Sequence, residues 1–342
     1  MKEYLLPKGG SFYKANLHTH TTVSDGKMTP EEVKAAYKSR GYQMVAYTDH
    51  DVLVDHSELS DDGFLALRGY EMAINDNRHG ERWNHSTKTY HLSLIAMNPE
   101  ANRQVFFAPR NIDFRGNAAK YAPSVLSTGE QIYSYVYSPI FVNRMIRAAS
   151  AAGFMVIYNH PHYSLQTGED FLSLEGLLGM EIHNGASMAW GFGDDGDTAR
   201  YERMLRAGHT TLIPIAADDS HDNNTEDPAN ELFTGFMMIK APSLSYTAVT
   251  AALKNGDCYA SQAPTINELY VEDGRLHIEC SRVREVIYRT VDRRAERRMS
   301  PSGITSADFN ISAKSTYFRI EIVDFEGYRA VTRAYDAARY GK

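Results

Sequence analysis

The 342-residue sequence predicts an α/β domain followed by a small all-β domain. Between residues 12 and 253, short apolar runs alternate with stretches of helical periodicity, a pattern typical of successive βα units. After Pro264, strand-like runs follow one another with no helical pattern between them, joined by turns such as Glu272-Asp273-Gly274. We therefore predict an α/β domain over residues 1–263 and a β-rich domain over residues 264–342.

The first βα unit has distinct sequence boundaries. Thr29 is placed to cap a helix, Pro30 suits its first position, and Glu32 completes a capping box. Gly41 follows the last residue of the helical period and is a natural terminator. The strands predicted in this part of the chain cover residues 13–17, 44–47 and 64–67.

The later elements follow from the same patterns, with one interruption. Helices are predicted over residues 141–152 and 198–207, and strands over 154–158, 178–182, 212–217, 268–271, 276–280, 285–290 and 317–323. Residues 98–137 fit neither pattern and carry Arg103, Arg110, Arg115 and Lys120. Long irregular loops commonly bind ligands, so we expect Arg110 and Arg115 to bind substrate. A solvated or partner-contacting loop is an equally open interpretation.

Composition excludes several classes of protein. The formal net charge of -7 argues against a general binder of nucleic acids or anionic membranes, which needs a basic surface. No apolar run reaches the length of a membrane span or of a signal-peptide core, so a cytoplasmic location is expected. Cys258 and Cys280 form no CxxC motif, which makes a disulfide framework unlikely and leaves His, Asp and Glu as metal ligands.

Ligand-type side chains follow five of the predicted strands. The clusters are His18-Thr19-His20 with Asp25, Thr48-Asp49-His50-Asp51, Gly69-Tyr70-Glu71, Asn159-His160-Pro161-His162 and Asp218-Asp219-Ser220-His221. A single such cluster is usually solvent-exposed, but strand ends of a (β/α) barrel all meet on one face, which carries the chemistry in such folds. Mixed histidine and carboxylate sets suit zinc, manganese or iron rather than calcium. The sequence therefore predicts a transition-metal site.

Three further residues have open roles at this stage. His91 begins an apolar run, and it can share a metal ion with Glu71 only if residues 75–88 form a hairpin-like connection. His79 and His85 are alternative candidates for the same ligand position. Asp49 is either a ligand or a hydrogen-bond acceptor for a ligating histidine. His162 is either a catalytic proton donor to the leaving oxygen, with phosphate binding as a variant, or a histidine at the rim of the site.

The order of these motifs resembles the PHP (polymerase and histidinol phosphatase) superfamily over about residues 12–255. The segment Glu181-Ile182-His183-Asn184-Gly185 and the β-rich tail further resemble its carbaryl-hydrolase-like branch, in which a sandwich-like domain follows the barrel. The resemblance implies a distorted (β/α)7 TIM-like barrel with two or three divalent metal ions. The implied ligands are His18, His20, Glu71 and Asp219 for the first ion, Glu71, His91 and His160 for the second, and Asp25, His50 and His221 for the third.

The implied activity is hydrolysis of a small phosphate ester by a metal-bridging hydroxide, since coordination lowers the pKa of water to about 7. The same metal centre would also suit hydrolysis of a carboxylic ester or carbamate. A non-catalytic metal-binding module is a third interpretation, disfavoured because all nine ligand positions are filled by competent residues. No nucleic-acid or membrane partner is expected.

Overall fold

The computed structural model describes residues 2–76, 86–109, 116–130, 132, 134–227, 229–293 and 295–342. The first half of the chain contains six strands and three helices among these residues. They are β1 (Lys2–Tyr4), β2 (Ser11–Asn16), α1 (Pro30–Ser39), β3 (Met44–Tyr47), β4 (Leu65–Asn75), β5 (Thr89–Ala96), α2 (Ala118–Tyr121), α3 (Pro139–Ala151) and β6 (Phe154–Tyr158).

The second half begins with alternating helices and strands and ends in a region dominated by strands. In order these are α4 (Gly168–Phe171), β7 (Gly179–Asn184), α5 (Gly185–Ala189), α6 (Asp195–Arg206), β8 (Ile213–Ala217), β9 (Phe236–Ala241), α7 (Tyr246–Asn255), β10 (Cys258–Ser261), β11 (Ile266–Glu272), β12 (Arg275–Thr290), β13 (Ala295–Asn310), β14 (Tyr317–Val323), β15 (Arg329–Thr332), β16 (Tyr335–Asp336) and α8 (Ala337–Tyr340).

One mixed sheet runs through the α/β part in the order β9-β2-β3-β4-β5-β6-β7-β8. The pairs β2–β3, β3–β4, β6–β7 and β7–β8 are parallel. The pairs β9–β2, β4–β5 and β5–β6 are antiparallel. The predicted α/β class is therefore confirmed, and the carboxyl ends of β2, β3, β6 and β8 carry the polar clusters found in the sequence.

The expectation of a closed barrel is wrong for the described residues, because no ladder joins β8 to β9 or β2. A single isolated bridge, Thr19–Ser220, links the segments that follow β2 and β8. Barrel closure requires a consistent stagger from strand to strand. The antiparallel strands β5 and β9 interrupt the succession of parallel βα units, so the sheet stays open at this seam.

The sheet continues into the C-terminal region through β10, which pairs with both β9 and β15. Beyond β15 the order is β14-β12-β11-β1, so the first strand of the chain joins the last part of the sheet. A second apolar core, which includes Ile278, Val286, Phe318 and Ile320, lies here. None of the described helices has the length and apolar character that a membrane crossing requires.

The helix α1 shows how local sequence sets a boundary. It begins at Pro30, the Thr29 side chain accepts a hydrogen bond from the Glu32 N–H, and the capping box is complete. Val33 and Tyr37 form its buried face, and the Tyr37 hydroxyl donates to Asp218 at 2.8 Å. This helix therefore fixes the segment between β2 and β3, whose ends carry predicted metal ligands.

Candidate metal centre

All nine sequence-predicted ligands meet in one place, around the fully buried carboxylate of Glu71. Five histidine rings have a nitrogen within 3.6 Å of a Glu71 oxygen. The distances are 3.2 Å from His18 Nε2, 3.5 Å from His20 Nε2, 3.0 Å from His50 Nδ1, 3.2 Å from His91 Nδ1 and 3.6 Å from His160 Nε2. Since these residues come from β2, β3, β4, β5 and β6, the site depends on the whole α/β sheet.

The remaining three ligands extend the cluster on one side of Glu71. Asp219 Oδ1 lies 3.1 Å from His18 Nε2 and 3.0 Å from His20 Nε2. Asp25 lies 3.7 Å from both His50 and His221. The ligand atoms of eight predicted ligands form three groups that are compact enough to hold an ion. The groups are His18, His20 and Asp219; His18, Glu71 and His160; and His20, Asp25, His50 and His221.

The hairpin that brings His91 to the site is present. The strand β4 runs through Glu71, as predicted, continues to Asn75 and pairs with β5 in antiparallel orientation. His91 lies opposite Ala73 and Ser93 opposite Glu71 in this ladder. His79 and His85, the competing histidines, lie outside the described residues.

Two of the ligands have backbone conformations that side-chain-bearing residues seldom adopt. Asp219 has a φ of 54° and His160 a φ of 24°. The Asp219 N–H donates to the His18 carbonyl at 3.0 Å, and the His160 N–H donates to Glu181 at 2.9 Å. Strained backbone held in this way is characteristic of functional sites, where the fold determines the direction of a side chain.

The carboxylates of the cluster are held in their ionised form. Burial favours neutral Glu71, but His91, His18 and His50 outweigh burial and keep the pKa of Glu71 well below its usual range. Burial acts on Asp219 in the same way, and His18, His20 and His221 likewise hold its pKa well below the usual value. Burial, with His221 and His50 nearby, lowers the pKa of His20 to about 4. Burial disfavours charged His50 as well, but Asp25 and Glu71 outweigh burial and raise its pKa to about 10, so this ring must release a proton before it binds a metal ion. Ionised carboxylates and neutral imidazoles are the forms that bind metal ions.

Three buried atoms of the cluster, His50 Nδ1, Glu71 Oε2 and Asp219 Oδ1, lie within 3.1 Å of other ligand atoms but have hydrogen-bond geometry with none of the described residues. Buried polar atoms nearly always form hydrogen bonds, so three such atoms in one cluster require an explanation. Each belongs to a predicted ligand, and each faces the other ligand atoms. A set of nitrogen and carboxylate donors of this kind fits divalent transition metals.

Glu181 is a site residue that sequence reasoning did not identify by role. Its Oε1 lies 2.8 Å from His18 Nδ1, and its Oε2 accepts hydrogen bonds from the His160 N–H at 2.9 Å and from Asn184 Nδ2 at 2.8 Å. Asn159 complements it by donating to Glu71 Oε1 at 2.6 Å. In the sequence, the feature that could have identified Glu181 is its position as an acidic residue within the apolar strand β7.

Asp49 and His162 lie in the segments that carry His50 and His160, and their predicted roles stay predictions. The Asp49 carboxylate accepts hydrogen bonds from Thr21 and Ser24 rather than from a histidine ring, and Ser24 Oγ lies 3.5 Å from His20 Nδ1. The His162 ring lies against Arg200 and Phe192, with its Nδ1 3.1 Å from Arg200 Nη1. Asp49 thus shapes the segment before Asp25, and His162 belongs to the packing of α6.

The predicted substrate-binding residues Arg110 and Arg115 lie outside the described residues. Neighbouring parts of the same insertion pack against the metal-binding loops. The Asn117 N–H donates to the Ser24 carbonyl at 2.6 Å, and Gln104 Nε2 donates to the Asp51 carbonyl at 2.8 Å. The insertion therefore contacts the segments that carry Asp25 and His50.

The cluster opens into a cavity of about 230 Å³. Six predicted ligands line it together with three other residues of the strands and loops around them. The lining residues are Asp25, His50, Glu71, Thr89, His91, Tyr163, Trp190, Asp219 and His221. A substrate entering this cavity would reach the ligand atoms directly.

Residues 16–108 match the model of the PHP domain family. This segment contains six of the nine predicted ligands, from His18 to His91, so the resemblance found in the motifs is confirmed there. No curated protein matches the chain. The match does not separate branches of the family, and the carbaryl-hydrolase-like branch stays a prediction.

Three solved structures are similar at low sequence identity. A two-domain protein from Bacteroides vulgatus, described as containing a predicted PHP-like metal-dependent phosphoesterase, is 14% identical; the alignment covers 97% of this chain and 98% of that chain, with a TM-score of 0.47. A protein from Bifidobacterium adolescentis, described as a candidate metal-dependent phosphoesterase, is 18% identical over 65% of this chain and 91% of that chain, with a TM-score of 0.39. An amidohydrolase from Chromobacterium violaceum with bound sulfate is 16% identical over 63% and 93%, with a TM-score of 0.38.

Proposed function

Since residues 16–108 carry a PHP domain, we propose that the chain is a metal-dependent phosphoesterase that hydrolyses a small phosphate ester with two or three divalent ions. The observation that carries this proposal is the set of three buried ligand atoms, on His50, Glu71 and Asp219, that face other ligand atoms without forming hydrogen bonds. They belong to a cluster of nine predicted ligands, eight of which form groups compact enough to hold an ion. Zinc, manganese and iron all suit its donors. When bound, such ions lower the pKa of coordinated water and withdraw charge from phosphoryl oxygens.

The chain's own residues position this chemistry. Glu181 orients His18 and fixes the His160 backbone, and Asn159 fixes Glu71. Asn184 Nδ2 donates to both Glu181 and Asp219, which ties the two carboxylates together. With these partners in place the ligand directions are set before any ion or substrate arrives, and preorganised ligands need little rearrangement during the reaction.

Water is the nucleophile in this proposal, and the cysteines do not compete for the role. Burial raises the pKa of Cys258 to about 12 and that of Cys280 to about 11, so both stay as unreactive thiols. Cys258 lies in β10 and Cys280 in β12, and neither lines the metal cavity. Hydrolysis without a covalent intermediate on a thiol is therefore the expected route.

The test combines metal analysis with activity on matched esters. We expect the purified protein to contain two or three transition-metal ions per chain and to hydrolyse ethyl phosphate faster than ethyl acetate. Asp219→Asn should lower phosphate-ester hydrolysis by more than about a hundredfold, since changing residues that only orient metal ligands already costs about ten- to a hundredfold. The matched control is Glu226→Gln, which changes an exposed carboxylate on the same loop.

Three results contradict the proposal. The first is a metal content near zero that does not rise on titration with zinc, manganese or iron. The second is folded Asp219→Asn protein with near wild-type turnover. The third, faster hydrolysis of ethyl acetate, would favour the carboxylic ester interpretation.

A further inference from the structure

Exposed apolar side chains are concentrated beside the metal cavity. Met188 is 40% exposed, Trp190 51% and Phe192 38%, and all three lie on α5 and the turn that follows it. Leu165, 39% exposed, lies on the loop after β6 that also carries Tyr163. We call these four side chains, together with Tyr163, the rim of the cavity. Exposed apolar groups that occur together commonly mark binding surfaces, so the rim requires an explanation.

The aromatic rings form a continuous path from the metal ligands to the surface. The Tyr163 ring lies 5.5 Å from the His160 ring, 5.0 Å from the Trp190 ring and 5.1 Å from the Phe192 ring, measured between centroids. Trp190 in turn lies 6.2 Å from the ring of His221. Tyr163 and Trp190 line the cavity itself. A group attached to a phosphate at the metal centre would therefore contact these rings.

The backbone that carries the rim is fixed, although its side chains are exposed. The Trp190 N–H donates to the Ala186 carbonyl, and the Phe192 N–H donates to the Ser187 carbonyl, both at 3.0 Å. Asn184 caps α5 through the Ser187 N–H, and its side-chain nitrogen donates to Asp219 at 3.2 Å. The aromatic rim is thus attached to a metal ligand through one residue, which preorganises it for binding.

The charges in the cavity limit what the rim can accept. Among the described residues that line it there is no lysine or arginine, and its charged groups are the carboxylates of Asp25, Glu71 and Asp219. Bound cations would interact with the phosphoryl group, which leaves no positive group for a second anion. An uncharged, planar group needs no cation of the protein and can pack against the exposed aromatic rings.

We propose that Tyr163, Trp190 and Phe192 form a subsite for a planar, uncharged group, and that the substrate is a phosphate ester of an alcohol that carries an aromatic ring. This inference rests on the proposed phosphoesterase function. It assigns Trp190 as the main specificity residue, because Trp190 is both the most exposed ring of the rim and a lining residue of the cavity.

The test compares benzyl, cyclohexylmethyl and ethyl phosphate on the metal-loaded protein. All three release primary alcohols, so their intrinsic reactivities are similar. We expect the highest kcat/KM for benzyl phosphate. Trp190→Ala should lower that value about tenfold through KM, whereas ethyl phosphate changes less than about twofold, since the lost contact is to the ring alone. Trp190→Phe should restore most of the kcat/KM for benzyl phosphate that Trp190→Ala loses. Phe325→Ala, which removes a 42% exposed ring in the C-terminal region, is the control and should change neither substrate.

The inference is wrong if Trp190→Ala changes benzyl and ethyl phosphate by the same factor, or changes neither. Equal kcat/KM values for cyclohexylmethyl and benzyl phosphate would contradict the preference for a planar group. If the proposed phosphoesterase function itself is wrong, the outcome is different, because the wild-type protein then hydrolyses none of the three esters. Calorimetric titration with benzylphosphonate and ethylphosphonate, which are not hydrolysed, then tests the subsite alone. Equal affinities for the two phosphonates would overturn it.

Discussion

At the scale of single residues, Glu181 determines the direction of two predicted metal ligands. Its carboxylate contacts the His18 ring through one oxygen and accepts from the His160 backbone and from Asn184 through the other. Burial lowers the pKa of His18, but Asp219, Glu71 and Glu181 outweigh burial and raise it well above its ordinary value. A proton held on His18 must leave when a metal ion binds, and Glu181 then accepts from the remaining ring N–H.

Glu181→Gln should weaken metal binding by about ten- to a hundredfold without unfolding the protein. A glutamine side chain has one acceptor oxygen and one donor nitrogen, so it cannot accept from His18, His160 and Asn184 together. The measurement is competition with a chelator of known affinity, followed by metal analysis. Glu169→Gln, an exposed position, serves as control. Wild-type metal affinity in folded Glu181→Gln protein would show that Glu181 has only a structural role.

The sequence predicted the histidines and carboxylates that the fold brings together, but not Glu181, which contacts two of them, and the reason is physical. His18-Thr19-His20 and Asp219-Ser220-His221 stand out because polar pairs two residues apart follow apolar strands. Glu181 lies inside β7, where a single acidic residue has no periodic partner. The relation between Glu181 and His18 spans 163 positions and exists only in the folded sheet.

At the scale of elements, the insertion over residues 98–137 supports the loop that carries Asp25. Asn117 donates to Ser24 through its backbone and to Thr22 through its side chain. Val23, Val52 and Ala118 form a small buried apolar cluster at the same contact. The insertion thus acts on the metal centre by packing, and its predicted role in substrate selection through Arg110 and Arg115 stays a prediction.

Gly116→Ala should disturb the ligand group His20, Asp25, His50 and His221. A Cβ at residue 116 would lie 1.9 Å from the Ser24 carbonyl oxygen, so the loop beside Asp25 must move. We expect about one metal ion per chain to be lost. Gly129→Ala is the matched control: it has a similar left-handed φ, 88° against 77°, and no atom within 4 Å of its new Cβ. The readout is metal content per chain for both variants. Equal losses would show that backbone strain rather than the contact with Ser24 is responsible.

Elements with strong local signals were predicted well, and those set by distant pairing were not. The helix α1 and the strands β3 and β6 have the predicted or nearly the predicted bounds. The strand β12 was predicted as two strands, because the polar residues between Cys280 and Glu285 break the pattern. It continues through them with two register shifts against β13. The strand β13 was missed because its side chains are mostly exposed and polar, which gives no apolar alternation.

At the scale of the whole molecule, a strand ladder, apolar packing and polar side chains join the α/β part to the C-terminal sheet; Tyr317, Val331 and Ala334, for example, belong to the apolar core of the α/β part. The ladder is the continuous β9–β10–β15 pairing. Among the polar side chains, Arg319 in β14 is 2% exposed and contacts Glu202 of α6 with Nε at 2.9 Å. The change of sequence pattern after Pro264 predicted a β-rich region. The pattern does not reveal which strand of the α/β part pairs with that region.

Arg319→Ala should lower the free energy of unfolding by about 3 kcal/mol, since it removes a buried cation that Glu202 and Glu321 share, although Glu321 keeps Arg289 and Arg329 as partners. The remaining charges are Glu321, 3% exposed, and Glu202, 24% exposed. Arg329→Ala is the matched control, because Arg329 pairs with the same Glu321 but is 49% exposed, and it should cost about 1 kcal/mol or less. Urea unfolding of both variants measures the difference. Equal, small effects of the two substitutions would show that the ion pair of Arg319 with Glu202 does not stabilise the contact between the two parts, whereas the buried position of Arg319 predicts that it does.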